Sequence, residues 1–520
     1  MTDLAETREQ AAVPAREATP RPVVALSVAA IAAGLVLRFV TRSPLWLDEA
    51  LSVNIAKLPI HEIPAALRHD GHPPLYYVLL HAWMSVFGTG DVAVRALSGL
   101  FAVATLPLAW IIGRRRGGPR LGWLFTAVMA MSPFALRYAT ETRMYSLLMV
   151  GVLVLYLLVD DVVRLDRGGW LRLVALAVVS GLLLLTHYWS MWLLGAVELV
   201  LAWRWWRHPD DRRAPGRAFL AIAAGGVMFL PWVPSFLYQA AHTGTPWAGR
   251  VRPTNLVGAT IQDFGGGAFK DAILVGALMV ALALLGLFGR GTDGVHIDLD
   301  LRTRRFVRYE AVVAALTLTI GGLIGLVTAS TYATRYAAVV YPLFALLVAA
   351  GLACFRSPKA LTAVLAGFLA LCLLGAYWNV TYPRTQARVD GRAINQVARP
   401  GDLVIFCPDQ LGPAFSRELR AGLDEAVYPT LGPPQRVDWV DYAARNAAAD
   451  PARIAQQILA RAGSHRIFLV WQGAYRTFGQ QCETLFSLLS AARPGARTLV
   501  VSGGDQYFEP AAVVSFPPRR

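Results

Sequence analysis

The sequence predicts an all-α, multi-pass membrane protein of about eleven transmembrane helices, with a smaller α/β domain at its C-terminal end. Three observations predict it. The 520 residues are 55% hydrophobic and only 16% charged, and the apolar ones are gathered into runs of membrane-spanning length. Arginine is concentrated in short segments between those runs. From about residue 379 the pattern changes to short apolar strands alternating with polar helical stretches.

The elements follow in order. Residues 1–21 are polar and read as a disordered cytoplasmic segment; no signal-peptide cleavage pattern follows, so the first apolar run stays as an anchor. Apolar segments lie near 22–40, 92–113, 121–138, 143–162, 171–187, 189–206, 217–238, 271–290, 308–328, 337–355 and 360–378. A further stretch, "PPLYYVLLHAWMSVFG" at 73–88, is ambiguous by length. The basic segments "GRRRGGPR", "RLDRGGWLR", "RWWRHPDDRRAPGR", "GRGTDGVHIDLDLRTRRFVR" and "FRSPK" can share the cytoplasmic side only if 73–88 does not cross. It is read as an interfacial helix on the outer face, with Tyr76, Tyr77 and Trp83 in the headgroup zone. Residues 22–378 then form the membrane domain, with the N-terminus inside and an extracytoplasmic α/β domain at 379–520. That domain has strands in "DLVIFCP", "HRIFLVW" and "RTLVVSG" and a helix in "PARIAQQILARAG". Topology, rather than nucleic acid, explains the net charge of +15. Cys354 and Cys372 lie inside apolar runs, while Cys407 and Cys482 could pair or stay free.

The polar residues that topology leaves unexplained lie on the outer side. In "LWLDEALS", Asp48 and Glu49 are adjacent, so on a helix they point about 100° apart; one acts, and the other orients or caps. The bland alternative is a helix start favoured by its dipole. In "RHDGHPPLYY", His72 could ligate a metal, bind a phosphate or hydrogen-bond the turn, and Tyr76 follows it. No paired-histidine spacing is present, so no cofactor is implied beyond an open alternative, a divalent metal near Asp48 and His72. "RYATETRMY" places Arg137, Glu141, Arg143 and Tyr145 at one rim, where a forked, permanent cation suits phosphate and a local Glu141–Arg143 pair is the alternative. "THYW" puts His187 at the end of a span. In "TYATRYAAVVYP", Arg335 and Tyr336 stand where positive-inside bias gives no reason for an arginine.

Other chemistries lack their signatures. There is no Walker loop, no G-x-G-x-x-G after a strand and no G-x-S-x-G elbow. The "DLD" at 298–300 reads as a solvated loop, and the spans lack the regular internal charges of a pump. Carboxylates, arginines and a membrane edge fit one reaction together: a carboxylate takes the proton of an acceptor hydroxyl while arginine stabilises a departing lipid phosphate. That is sugar transfer from a polyprenyl-phosphate donor to a lipid, glycan or protein acceptor at the outer face. The rival classes are a lipid or glycan transporter or flippase without covalent chemistry, and a non-catalytic scaffold.

The motifs "LWLDEA", "HPPLYYVLLHAW…FGTGDVAVRALS", "SPFALRYATETRMYSLL", "THYW" and "TRYAAVVYPLFALLVAAGL", taken in order over residues 22–355, resemble glycosyltransferase family 39. This family includes protein O-mannosyltransferases and lipid A aminoarabinose transferases and has the GT-C fold. The resemblance implies juxtamembrane helices in the first external loop and an acidic pair at Asp48 and Glu49, the first acid being the catalytic base. It also implies phosphate-binding arginines at Arg143 and Arg335. Two departures leave sugar and acceptor open: the tail lacks MIR repeats, and His72 stands where the aminoarabinose transferases have lysine.

Overall fold

The computed structural model describes residues 19–245, 253–267, 271–304, 306–327 and 332–519. The polar segment 1–21 therefore falls almost wholly outside the described residues, as do parts of the expected loop 239–270 and turn 330–336. Among the described residues, the helices Asp91–Met131, Tyr145–Arg164, Arg213–His242, Arg308–Gly325 and Pro358–Thr381 are long and apolar enough to cross a membrane. Shorter apolar helices at Arg21–Leu37, Trp170–Thr186, Ala272–Phe288 and Tyr341–Leu352 coincide with expected apolar segments.

The stretch Asp91–Met131 is a hairpin of two helices. Gly117 (φ −148°) and Gly118 (φ 76°) break it within the basic segment, at a backbone angle that suits glycine. The halves fold back on each other: the rings of Trp110 and Trp123 meet at 4.7 Å, and a Cβ on Gly113 would lie 2.7 Å from the Leu121 carbonyl oxygen. The second half stops at Met131, short of the expected 138. Pro133 has no N–H to continue it, and Ser132 caps a new helix, Pro133–Ala139, by accepting the Ala135 N–H. The buried Arg38 satisfies the freed helix end, donating to the carbonyls of Met129 and Ala130 at 2.8 and 2.7 Å.

The helix Leu75–Phe87 has 13 residues, about 20 Å, which is short of a hydrocarbon core of about 30 Å. Its tyrosines are not at a headgroup surface. Tyr76 and Tyr77 are fully buried, because their face packs under the hairpin, and Trp83 is half-buried with its indole N–H on the Ala93 carbonyl. Two other expected loops carry structure. Helix Pro253–Phe264 occupies part of 239–270, and the exposed "DLD" ends a small antiparallel hairpin of β1 (Gly289–Gly291) and β2 (Ile297–Leu299).

The tail folds around a five-stranded sheet of β3 (Leu403–Cys407), β4 (Asp424–Val427), β5 (Ile467–Trp471), β6 (Arg497–Val500) and β7 (Ala512–Phe516). The strand order is β4-β3-β5-β7-β6. β3 runs parallel to β4 and β5, and β7 antiparallel to β5 and β6. Every residue of β3 is buried, as expected of a central strand covered on both faces. β4 and β7 had no counterpart among the expected strands. Cys407 at the end of β3 is disulfide-bonded to Cys482 of helix Gln481–Ala492. The tail docks on the first loop through Asn54 to the Gln435 carbonyl (2.7 Å), His69 to Asp438 (2.9 Å) and the Trp439 amide to the His69 carbonyl (2.9 Å).

In the membrane region, helices Ala272–Phe288 and Tyr341–Leu352 touch backbone to backbone. A Cβ on Gly351 would lie 1.8 Å from the Leu282 carbonyl oxygen, and one on Gly286 would lie 2.2 Å from that of Leu347. Gly351→Val should force these helices apart and cost about 2–3 kcal/mol, read as a lower melting midpoint in detergent. An unchanged midpoint would contradict this contact.

Candidate active site

The adjacent acids have different surroundings. Both stand in the first turn of helix Leu47–Ala56, as the helix-start alternative expects, and the helix opens after Trp46 with no side-chain cap hydrogen bond. Glu49 is completely buried and accepts from Arg95 Nε (2.7 Å), Arg95 Nη2 (2.5 Å) and the Thr142 amide (3.0 Å), with Arg384 at 3.6 Å. Burial alone would raise its pKa, but Arg95 and Arg384 hold the carboxyl below the ordinary range. Both cations are tied elsewhere as well. Arg95 donates to the carbonyls of Ser43 and Pro44, and Arg384 to the carbonyl and hydroxyl of Thr140.

Asp48, half-buried, faces Arg335 at 3.4 Å, and its Oδ2 is buried without a hydrogen-bond partner. Arg335 lies over the ring of Tyr336, which in turn meets His187 at 5.1 Å and Trp189 at 5.8 Å. His187 Nδ1 accepts the Trp189 amide, which fixes the ring behind Tyr336. Buried Arg143, 3.5 Å from the Asp48 backbone carbonyl, donates to Ser52 Oγ (3.0 Å), Tyr77 Oη (3.3 Å) and His72 Nε2 (2.9 Å). For Nε2 to accept, the His72 proton must sit on Nδ1, which faces Asp70 at 2.9 Å. Tyr77 also donates to Asp70 at 2.7 Å, and the pairing with His72 and Arg143 holds that acid low against the effect of burial.

Of the residues the sequence pointed to, Asp48, Arg335, Arg143, His72, Tyr336 and His187 are brought together. Glu141 and Tyr76 lie aside. Glu141 is buried beside Arg137 (3.5 Å), which also pairs with Asp263 (2.9 Å), so the alternative of a local Glu141–Arg143 pair does not form; burial pushes the Glu141 carboxyl up. Tyr76 shares a hydrogen bond with Ser98 Oγ at 2.8 Å and supports the site from within. Sequence reasoning missed Tyr77, Arg95 and Arg384. Arg384 carried a usable signal, being an arginine beyond the last span that the positive-inside rule does not explain. As for a metal, both His72 nitrogens are engaged, and no group of three or more His, Cys, Asp or Glu residues that could hold an ion occurs among the described residues.

Residues 71–234 match the sequence profile of the family described as dolichyl-phosphate-mannose-protein mannosyltransferase. No curated protein sequence matches the chain. Among solved structures, ArnT from Cupriavidus metallidurans in the apo state aligns at a TM-score of 0.58 and 16% identity, covering 94% of this chain and 97% of that chain. ArnT bound to undecaprenyl phosphate aligns at 0.54 and 16%, with 94% and 97% covered. The Archaeoglobus fulgidus oligosaccharyltransferase in the apo form aligns at 0.49 and 11%, over 86% of this chain and 69% of that chain. The fold is the GT-C fold of multi-pass membrane proteins. The family profile, over residues 71–234, lies within this fold.

The two acids should separate in a folding assay. Glu49→Gln leaves two buried guanidiniums without their anion and should cost about 3 kcal/mol of stability, whereas Asp48→Asn should melt close to wild type. Equal midpoints for the two variants would remove the anchoring role from Glu49.

Proposed function

We propose that the protein moves a sugar from a polyprenyl-phosphate donor to an acceptor hydroxyl at the outer face of the membrane. In this reading Asp48 is the general base, and Arg143 and Arg335 hold the donor phosphate. The observation that carries it is the placing of two guanidiniums, of half-buried Arg335 and buried Arg143, beside Asp48: Arg335 is 3.4 Å from its half-buried carboxylate and Arg143 3.5 Å from its backbone carbonyl, where helices of the membrane domain end. A protein of the same fold has been solved with undecaprenyl phosphate bound, which supports a lipid-phosphate donor.

The chemistry follows from the groups. Asp48 takes the proton of the acceptor hydroxyl, and that oxygen bonds to the anomeric carbon. The bond from that carbon to the phosphate oxygen breaks, and the polyprenyl phosphate leaves with the electron pair. Arginine forks match phosphate oxygens, and their fixed charge is worth most where water is excluded. Asp70 and His72 hold the Arg143 guanidinium in place, Nδ1 of His72 on Asp70 and Nε2 on Arg143. Tyr336, between His187 and Arg335, does the same for Arg335.

For topology, we assign 22–378 to the membrane glycosyltransferase domain with a cytoplasmic N-terminus, and 379–520 to an extracytoplasmic α/β domain. The Cys407–Cys482 disulfide supports this orientation, since such bonds persist in oxidising compartments. Single cysteines at exposed His61 and Thr89, on either side of helix Leu75–Phe87, should both react with an impermeant reagent from outside. Labelling of Thr89→Cys only from the cytoplasm would overturn the sidedness.

The deciding experiment compares a deletion strain, by mass spectrometry of its envelope glycans, with the same strain carrying variants. Asp48→Asn should lower product formation by about 100- to 10,000-fold, the usual contribution of a general base. Full activity there would favour transport without covalent chemistry. Arg335→Ala should weaken undecaprenyl phosphate binding on the order of tenfold, and Arg335→Lys should restore it only in part because the fork is lost. Unchanged binding in both Arg335→Ala and Arg143→Ala would detach them from the phosphate.

A further inference from the structure

Two acids of the C-terminal domain grip two helices that adjoin the Arg143 site. In the segment 437–442 the apolar side chains belong to that domain's own core: Val437, Trp439 and Tyr442 are buried, with the rings of Trp439 and Tyr442 4.9 Å apart. Between them, Asp438 and Asp441 stay partly exposed, and each meets a histidine from outside the domain. Asp438 Oδ1 is 2.9 Å from His69 Nδ1, and the Trp439 N–H donates to the His69 carbonyl at 2.9 Å. Asp441 Oδ1 is 3.2 Å from His242 Nδ1, and the Asp441 N–H donates to the His242 carbonyl at 2.9 Å. Each histidine is thus held twice, by its ring and by its backbone. The acids are fixed in turn. Asp438 accepts from Arg445 Nη1 and from the Val440 N–H, both at 3.0 Å, and Asp441 holds a left-handed φ of 47°.

Both histidines lead to His72. His69 stands in the last turn of helix Ile63–Asp70, next to Asp70, whose Oδ2 is 2.9 Å from His72 Nδ1. His242 ends helix Val233–His242, and within its last turn the buried Gln239 donates through Nε2 to the Leu67 carbonyl at 2.7 Å and the His72 carbonyl at 3.4 Å. The approach is close: a Cβ on Gly71 would lie 3.0 Å from Thr243 Oγ1. Arg143 Nη2 then donates to His72 Nε2 at 2.9 Å. Two chains of contacts converge on His72 and end at one guanidinium. One runs from Asp438 through His69 and Asp70, the other from Asp441 through His242 and Gln239. Arg335 meets Asp48 and Tyr336, which belong to neither chain.

We infer that Asp438 and Asp441 are positioning residues: through His69, His242 and His72, the docked C-terminal domain holds the Arg143 guanidinium where the donor phosphate binds. This rests on the reading above in which Arg143 holds that phosphate. A single half-exposed histidine–aspartate pair contributes little to stability. Here two such pairs, each beside a backbone hydrogen bond, are set on one short segment anchored in the core of its domain. They fix where helices Ile63–Asp70 and Val233–His242 stand relative to each other, and the turn bearing His72 lies against both. Arginine has a long side chain with many rotamers, so a guanidinium held in advance spares phosphate binding the cost of ordering it.

The test uses full-length protein with undecaprenyl phosphate as the probe, alone and in Arg143→Ala and Arg335→Ala backgrounds. His69→Ala/His242→Ala removes both rings and leaves their backbone carbonyls in place. These side chains are 52% and 40% exposed, so the variant should melt close to wild type. Asp438→Ala/Asp441→Asn loosens the same grip from the other side and keeps at 441 a residue that tolerates the left-handed backbone. Each double variant should weaken undecaprenyl phosphate binding about fivefold, the low end of coupling between distinct sites. With Arg143→Ala neither should weaken it further, whereas with Arg335→Ala the fivefold loss should persist, because contacts acting through one guanidinium lose their effect with it. Wild-type binding in both double variants would overturn the inference. So would an undiminished loss on top of Arg143→Ala, which would leave these residues a general structural role. The histidine variant carries the test if the aspartate one does not fold. Failure of the donor reading would show separately, as wild-type binding in Arg143→Ala itself, and would remove the inference with it.

Discussion

Glu49, wholly buried between Arg95 and Arg384, joins three parts of the chain that are far apart in sequence: the first loop, the first membrane hairpin and the start of the tail. Desolvating a carboxylate costs several kcal/mol, and two guanidiniums offset that only because their remaining N–H groups also find acceptors. They do, on the carbonyls of Ser43, Pro44 and Thr140. This arrangement fixes the rotation of helix Leu47–Ala56. With Glu49 held inward, its neighbour Asp48 must point about 100° away, toward Arg335 and the half-buried space beside it. The buried acid thereby aims the one proposed as the base.

Arg143 and Arg335 both act on Asp48, while Asp70, held low by His72 and Arg143, also acts on Arg143. Guanidiniums placed beside a carboxylate in this way grow more favourable as charge builds on a leaving phosphate. His72 contributes by geometry, bridging Asp70 through Nδ1 and Arg143 through Nε2.

Features that depend on composition along the chain were legible before the structure. Apolar runs, arginine-rich turns and the change of pattern near residue 379 each reflect a local balance of burial and charge. The Gly117–Gly118 break could also be expected where "GRRRGGPR" joins two runs. What escaped was set by packing. Tyr76 and Tyr77 have the composition of interfacial residues, and only the wall built over them by the hairpin makes them internal. Asp48 and Glu49 were legible as a pair with divided roles, but the division depends on Arg95 and Arg384, which lie tens and hundreds of residues away. The test that singled out Arg335, an arginine on the wrong side for topology, applies equally to Arg384.

The placing of the tail follows from the same constraint. Arg384 is both a wall of the Glu49 site and the entry to the C-terminal domain, so the pairing that orients Asp48 also sets where that domain docks. The domain then rests on the loop helices through His69, Asn54 and Trp46 and not on the hairpin alone. In the proposed reading a lipid-borne donor reaches Asp48 from among the membrane helices, and the acceptor comes from the side the tail covers. Helix Leu47–Ala56 is then the wall the two domains share, with Arg335 against Asp48 and Arg143 against Ser52.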